Sequence, residues 1–172
     1  MMANYAKIKH WDIANGEGIG VSVYFSGCDK EPKCKGCFNS EIWDFNTGKP
    51  FQYTDKKLVV DMLDSPYVSH LAILGGEPLA YKNMIDVFDL CRWVKNKYGD
   101  SKKIWLWTHY KWEDLLHMGI PEVSTLTLVD VLVDGEYIEK QRDLTLKWRG
   151  SRNQRVIDVQ KSLMEGRVVL YE

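Results

Sequence analysis

Cys28, Cys34 and Cys37 fall within ten residues of one another, directly after the apolar run Val21–Phe25. Thiolates spaced this way on a loop leaving a strand are metal ligands. Three of them hold an iron–sulfur cluster and leave one iron without a protein ligand, and an open iron is a place to bind and activate a substrate. Electron-carrying [4Fe–4S] clusters normally take four cysteines, and structural zinc also takes four protein ligands. The chain's fourth cysteine, Cys91, recurs with Met84, Val87, Phe88 and Val94 at helical spacing, which puts it on the buried stripe of an amphipathic helix. His10 remains a possible fourth ligand that no spacing singles out. A zinc-binding module without catalysis needs Cys91 or His10; the iron–sulfur reading needs neither.

A second motif, Gly75-Gly76-Glu77-Pro78, follows the strand-like run Leu71–Leu74. Two glycines let backbone approach a ligand closely, and a carboxylate beside them accepts from an ammonium group. A plain β-turn before proline has the same composition.

Together the two motifs resemble the radical S-adenosylmethionine (SAM) enzymes. The segments Asp12–Ile19, Phe25–Cys28, Cys37–Trp43, Asp130–Gly135 and Arg149–Arg155 narrow the resemblance to the activating proteins of anaerobic ribonucleotide reductase. The last segment is the most specific of them. Two departures stand out. The usual CX3CX2C pattern is here CX5CX2C, with Asp29–Lys33 two residues longer, and Gly20 takes the place of an arginine in an Asn-Gly-Pro-Gly-x-Arg pattern common among activating enzymes.

The resemblance implies a [4Fe–4S] cluster on Cys28, Cys34 and Cys37, with SAM chelated at the unique iron. It puts Gly75, Gly76 and Glu77 at the methionine end, Gly36, Cys37 and Phe38 by the cofactor with the adenine near Gly36 and Phe38, and Thr108 at the ribose. Reductive cleavage of SAM then yields a nucleotide radical that takes hydrogen from a glycine on the large subunit of an anaerobic (class III) reductase. No protein acid or base is required, so none is nominated. With three of the four cysteines used, no second four-cysteine set is left, so the electron comes from an external one-electron donor such as flavodoxin. An activator of another glycyl radical enzyme, of the formate-lyase type, and a small-molecule radical SAM enzyme are the alternatives within the class.

The 172 residues are 45% hydrophobic and 27% charged, with a net charge of −1, an ordinary profile for one domain spanning 1–172. Bulk charge gives no pull toward nucleic acid or membrane. Basic residues gather between Lys140 and Arg155, either as a solvated surface or as an anion or partner site. No apolar stretch approaches the roughly 20 residues that span a bilayer, and the first ten residues lack a signal-peptide core, so the expected location is cytoplasmic.

Strand-like and helix-like segments alternate, and these must position the motifs. Strands are expected at Ile19–Phe25, Leu71–Leu74, Ile104–Trp107, Leu128–Val133 and Arg167–Tyr171. Helical segments are expected near Ser40–Asp44, from a Thr54 cap to Leu63 with Leu58, Val59, Met62 and Leu63 inward, at Lys82–Tyr98 with Gly99 as its stop, near Lys111–Met118 and at Asp158–Met164. Such alternation predicts an α/β chain with a mainly parallel sheet, and about five or six βα units make it an incomplete (open) parallel β/α barrel of the radical SAM type. The cysteine loop, the Gly75–Pro78 turn, Thr108-His109-Tyr110 and Asp134-Gly135 each begin where a strand ends, the edge where parallel sheets bind ligands. Trp105 and Trp107 are expected in the core.

Overall fold

The computed structural model describes residues 2–171. Its centre is a mixed seven-stranded sheet, built from β1 (Asn4–Asp12), β2 (Gly20–Phe25), β3 (Lys49–Pro50), β4 (His70–Gly75), β5 (Lys103–Trp107), β6 (Val131–Asp134) and β7 (Arg155–Asp158) in the order β3-β1-β2-β4-β5-β6-β7. The four strands β2, β4, β5 and β6 run parallel, while β1, β3 and β7 are antiparallel to their neighbours. The helices are α1 (Tyr53–Met62), α2 (Met84–Tyr98), α3 (Trp112–Leu115), α4 (Ile120–Leu128) and α5 (Val159–Glu165).

Strand residues alternate between two cores, as the pleat requires. Leu71 and Ile73 of β4 and Ile104 and Leu106 of β5 enter a large cluster to which all five helices contribute, through residues such as Val59, Leu90, Leu115, Leu126 and Val159. Ala72, Leu74, Trp105, Val131 and Val133 face the other way, packed with Trp107, Trp148 and Tyr171. The helices thus cover one face of the sheet, and the opposite face carries an aromatic lining. Cys91 is fully buried on the α2 stripe with Val87, Leu90 and Val94, and burial pushes its thiol up to about 12. Among the described residues no helix is long and apolar enough to cross a membrane.

Several sequence expectations need correction. Gln52, not Thr54, is the N-cap of α1, its backbone N–H donating to Asp55 at 2.8 Å. The inward face of α1 is Val59, Val60 and Leu63, whereas Leu58 is exposed, one position off the stripe. Leu128 ends α4, so β6 begins only at Val131. Arg167–Tyr171 is not a strand: it touches β7 through one bridge, Ile157 to Leu170. The parallel strands number four, fewer than the expected units, because both flanks of the sheet are antiparallel and because long segments go to the cysteine loop and to residues 135–154.

Candidate functional site

The carboxyl ends of β2, β4, β5 and β6 open into a cleft of about 590 Å³. Cys28, Cys34 and Cys37 line it, with Phe38, Gly75, Gly76 and Thr108. The cysteine loop is anchored at both ends. Gly27 N–H donates to Ile42 O at 2.8 Å and Cys28 N–H to Trp43 O at 3.0 Å, which folds the short helical turn Ser40–Ile42 back onto the strand end. Gly27 has φ 91°, and a Cβ there would fall 1.9 Å from the Phe45 ring.

The two glycines of the next turn have a structural cause. Gly76 N–H donates to Phe25 O at 2.9 Å and Glu77 N–H to Gly27 O at 2.7 Å, so the turn after β4 is sewn to the end of β2. A Cβ on Gly75 would lie 2.2 Å from Phe25 O, and one on Gly76 2.2 Å from Gly27 O, contacts no side chain tolerates. Buried Asn83, at the start of α2, donates to both Ser26 O and Glu77 O at 2.9 Å. Asn39, two residues after Cys37, donates to Gly75 O at 2.9 Å and lines the cleft.

Glu77 is fully buried and does not line the cleft. Its carboxylate accepts from Leu79 N–H at 2.9 Å, Thr108 Oγ at 2.8 Å and His109 N–H at 2.8 Å, so it locks the β4 turn to the end of β5, and burial raises its pKa. What this turn presents to the cleft is the Gly75–Gly76 backbone. Gly36 also stands outside the lining, with φ 72° and Glu139 directly against it, whereas the Phe38 ring is half exposed beside Tyr137 and under the Arg142 guanidinium.

Burial pushes the Cys28 thiol up to about 11 and raises Cys34 as well, so loading the site with metal releases protons. The only described trio of metal-ligating side chains with ligand atoms within 4.8 Å of one another is Cys28, Asp29 and His109. The three cysteine sulfurs therefore do not converge as they would around one tetrahedral zinc, where Zn–S bonds of about 2.3 Å put sulfurs roughly 3.8 Å apart. Neither Cys91 nor His10 lines the cleft; His10 stacks on Trp11.

The remaining walls come from segments that the sequence marked as family-like without giving their residues a place in the site. Buried Asp12 gathers Ser22 Oγ, Ala14 N–H, Lys9 and Asn15, and these bonds hold its pKa down although burial alone would raise it. Asn15, so held, lines the cleft with Ala14 and Tyr24. On the other side the segment Arg149–Arg155 is a built loop. Gln154 accepts from Gly150 N–H at 2.9 Å and donates to Gly135 O at 3.0 Å, while Arg149 donates to Gln154 O at 2.6 Å. Arg149, Gly150 and Gln154 line the cleft; Arg152 is largely exposed and pairs with cleft-lining Asp143, and Arg155 pairs with buried Asp134 and with Glu113. Of the basic run, Lys140, Arg142, Lys147 and Arg152 are exposed, while Arg149 and Arg155 are partly buried. Trp105 is fully buried, but Trp107 is only half buried and lines the cleft, its indole N–H donating to Trp148 O at 2.7 Å.

Residues 14–157 match the family model described as a 4Fe-4S single cluster domain. The chain is 38% identical over 153 residues to the anaerobic ribonucleoside-triphosphate reductase-activating protein of Enterobacteria phage T4, covering 89% of this chain and 92% of that one. The chain belongs to the anaerobic ribonucleoside-triphosphate reductase-activating protein family. Members from Vibrio cholerae and Escherichia coli K12 are 36% and 33% identical over 88% of this chain and 95% and 96% of theirs. The resemblance read from the motifs holds, and the iron–sulfur assignment with it. The structure gives Gly20 a cause, since the space beside it is filled by His70.

Proposed function

We propose that this chain is the radical SAM activase of an anaerobic (class III) ribonucleotide reductase, a single domain over 1–172 whose half-covered sheet is an open β/α barrel. The observation that carries the reading is the convergence of three cleft-lining cysteines and the Gly75–Gly76 turn on one sheet edge, in a member of the activating-protein family. Cys28, Cys34 and Cys37 would hold the [4Fe–4S] cluster, which would supply the one electron for reductive cleavage of SAM and so the means of taking hydrogen from a glycine Cα of the reductase large subunit. The chain's own residues bind, orient and exclude water.

Gly75 and Gly76 meet the methionine end through backbone, because both line the cleft and neither carries a side chain. Glu77 fixes that turn against Thr108 and His109, and Thr108 stands at the ribose side. Phe38 offers its exposed ring to the adenine, and Gly36 lets the loop turn before Cys37. The face bearing Trp107 and Trp148 keeps the radical away from water, and the open mouth admits the reductase. An external donor such as flavodoxin supplies the electron in the cytoplasm.

The test is anaerobic reconstitution with iron and sulfide, followed by SAM, dithionite and the class III reductase from the same genome. A glycyl radical on the reductase, seen by electron paramagnetic resonance with matching 5′-deoxyadenosine, is the expected result. Deoxyadenosine without a reductase radical, combined with activation of a formate-lyase-type enzyme, would transfer the assignment to that alternative.

A further inference from the structure

The lengthened cysteine loop, Asp29–Lys33, is fastened to the opposite wall. Asp29, the first residue after Cys28, receives a hydrogen bond from Tyr110 Oη at 2.8 Å and lies 3.1 Å from His109 Nε2. Lys30 pairs with Glu136 at 2.7 Å, beyond the end of β6. His109 is held from behind by its backbone N–H, which donates to the buried Glu77 carboxylate. Its ring lies 4.0 Å from that of Tyr110 and lines the cleft. Cys28 Sγ, an Asp29 oxygen and a His109 nitrogen all lie within 4.8 Å of one another. The carboxylate of the longer loop therefore sits beside a cluster ligand, and His109 donates the bond that offsets its charge.

We propose that His109 is a positioning residue for the iron–sulfur site: through Asp29 it fixes the lengthened loop and Cys28, and it sets the reduction potential of the cluster. The inference rests on reading Cys28, Cys34 and Cys37 as the ligands. With Nε2 protonated, His109 donates to Asp29; without that bond a carboxylate next to a thiolate ligand disfavours adding an electron. Removing the imidazole donor makes the potential more negative; removing the Asp29 charge makes it more positive. Glutamine at 109 can carry an amide N–H toward Asp29 and restore the bond.

The test compares the reconstituted wild-type chain with His109→Ala, His109→Gln and Asp29→Asn by iron content, redox titration and electron paramagnetic resonance of the reduced cluster. Expected are four irons in each, a reduction equilibrium constant at least about tenfold lower in His109→Ala, which is about 59 mV for one electron, recovery in His109→Gln, and the opposite shift in Asp29→Asn. Equal potentials in all four proteins overturn the inference while leaving the cluster assignment intact. Nitrogen hyperfine coupling that disappears in His109→Ala also overturns it, because His109 would then be an iron ligand. Absence of iron from the wild-type chain itself would instead remove the cluster reading on which the inference stands.

Discussion

The imidazole of His70 occupies the space where a side chain at Gly20 would go: a Cβ on Gly20 would lie 2.2 Å from His70 Nε2. His70 is buried, its Nε2–H donates to Asn15 O at 2.5 Å, and Ser69 Oγ holds its other nitrogen at 3.0 Å, so the ring has no freedom to yield. Gly20→Ala should therefore destabilise the protein by about 1–3 kcal/mol as an overpacking change. In a His70→Ala background the same substitution should cost markedly less, with a coupling of about 1–2 kcal/mol in a double-mutant cycle followed by urea denaturation. Additive losses would mean that the two residues do not meet.

Cluster loading should separate the four cysteines. Cys28→Ala, Cys34→Ala and Cys37→Ala should each lose the brown chromophore and most of about four irons per chain after reconstitution. Cys91→Ala should keep both, since Cys91 is buried among Val87, Leu90 and Val94 and away from the cleft. Iron and sulfide analysis with the visible spectrum reads the result.

Glu77→Gln should act on the scaffold first. One carboxylate oxygen becomes an N–H₂ group facing an existing donor, either His109 N–H or Leu79 N–H, at a cost of about 1–3 kcal/mol. Thermal stability of the metal-free chain should fall, and SAM affinity measured by calorimetry should fall with it as the Gly75–Gly76 backbone loosens. A loss of affinity at unchanged stability would instead show that the carboxylate reaches SAM directly.

Arg149 and Arg152 are three residues apart and should behave differently. Arg149 lines the cleft, whereas Arg152 is largely exposed and bonded to Asp143. Arg149→Ala should lower the yield of glycyl radical on the reductase several-fold, with a smaller effect on dithionite-driven deoxyadenosine formation. Arg152→Ala should leave both nearly unchanged, as expected for an exposed pair worth about 0–1 kcal/mol. Spin quantitation and product chromatography follow the two steps separately.

The site was more legible in the sequence than the outer fold. Ligand spacing and glycine pairs are local constraints, so Cys28, Cys34, Cys37, Gly75 and Gly76 announce themselves, and the central strands follow from continuous apolar runs. β1 carries Lys7 and Lys9 among its apolar residues and is only partly buried, which blurs its period. In α4, Val123, Thr125 and Thr127 imitate a strand, and the helix is marked only by Gly119 at its cap with Pro121 in its first turn. The loop Arg149–Arg155 gave no periodic signal because its shape comes from one side chain, Gln154, bonding backbone on two segments. The role of Glu77 was hidden for a related reason: burial and three donors from distant residues are properties of the tertiary fold.

The β7 margin of the sheet is closed to strand addition, whereas β3 pairs with β1 only at Asn4 and Tyr5. β3 is two residues long and ends in Pro50, which has no N–H to offer, and the outer side of β7 is covered where Asp158 N–H donates to Val169 O and Tyr171 N–H to Val156 O, each at 2.9 Å. A protein partner therefore finds no free backbone ladder to extend on the β7 side. On the proposed reading, a reductase entering the cleft mouth meets side chains and loops there rather than the backbone of β7.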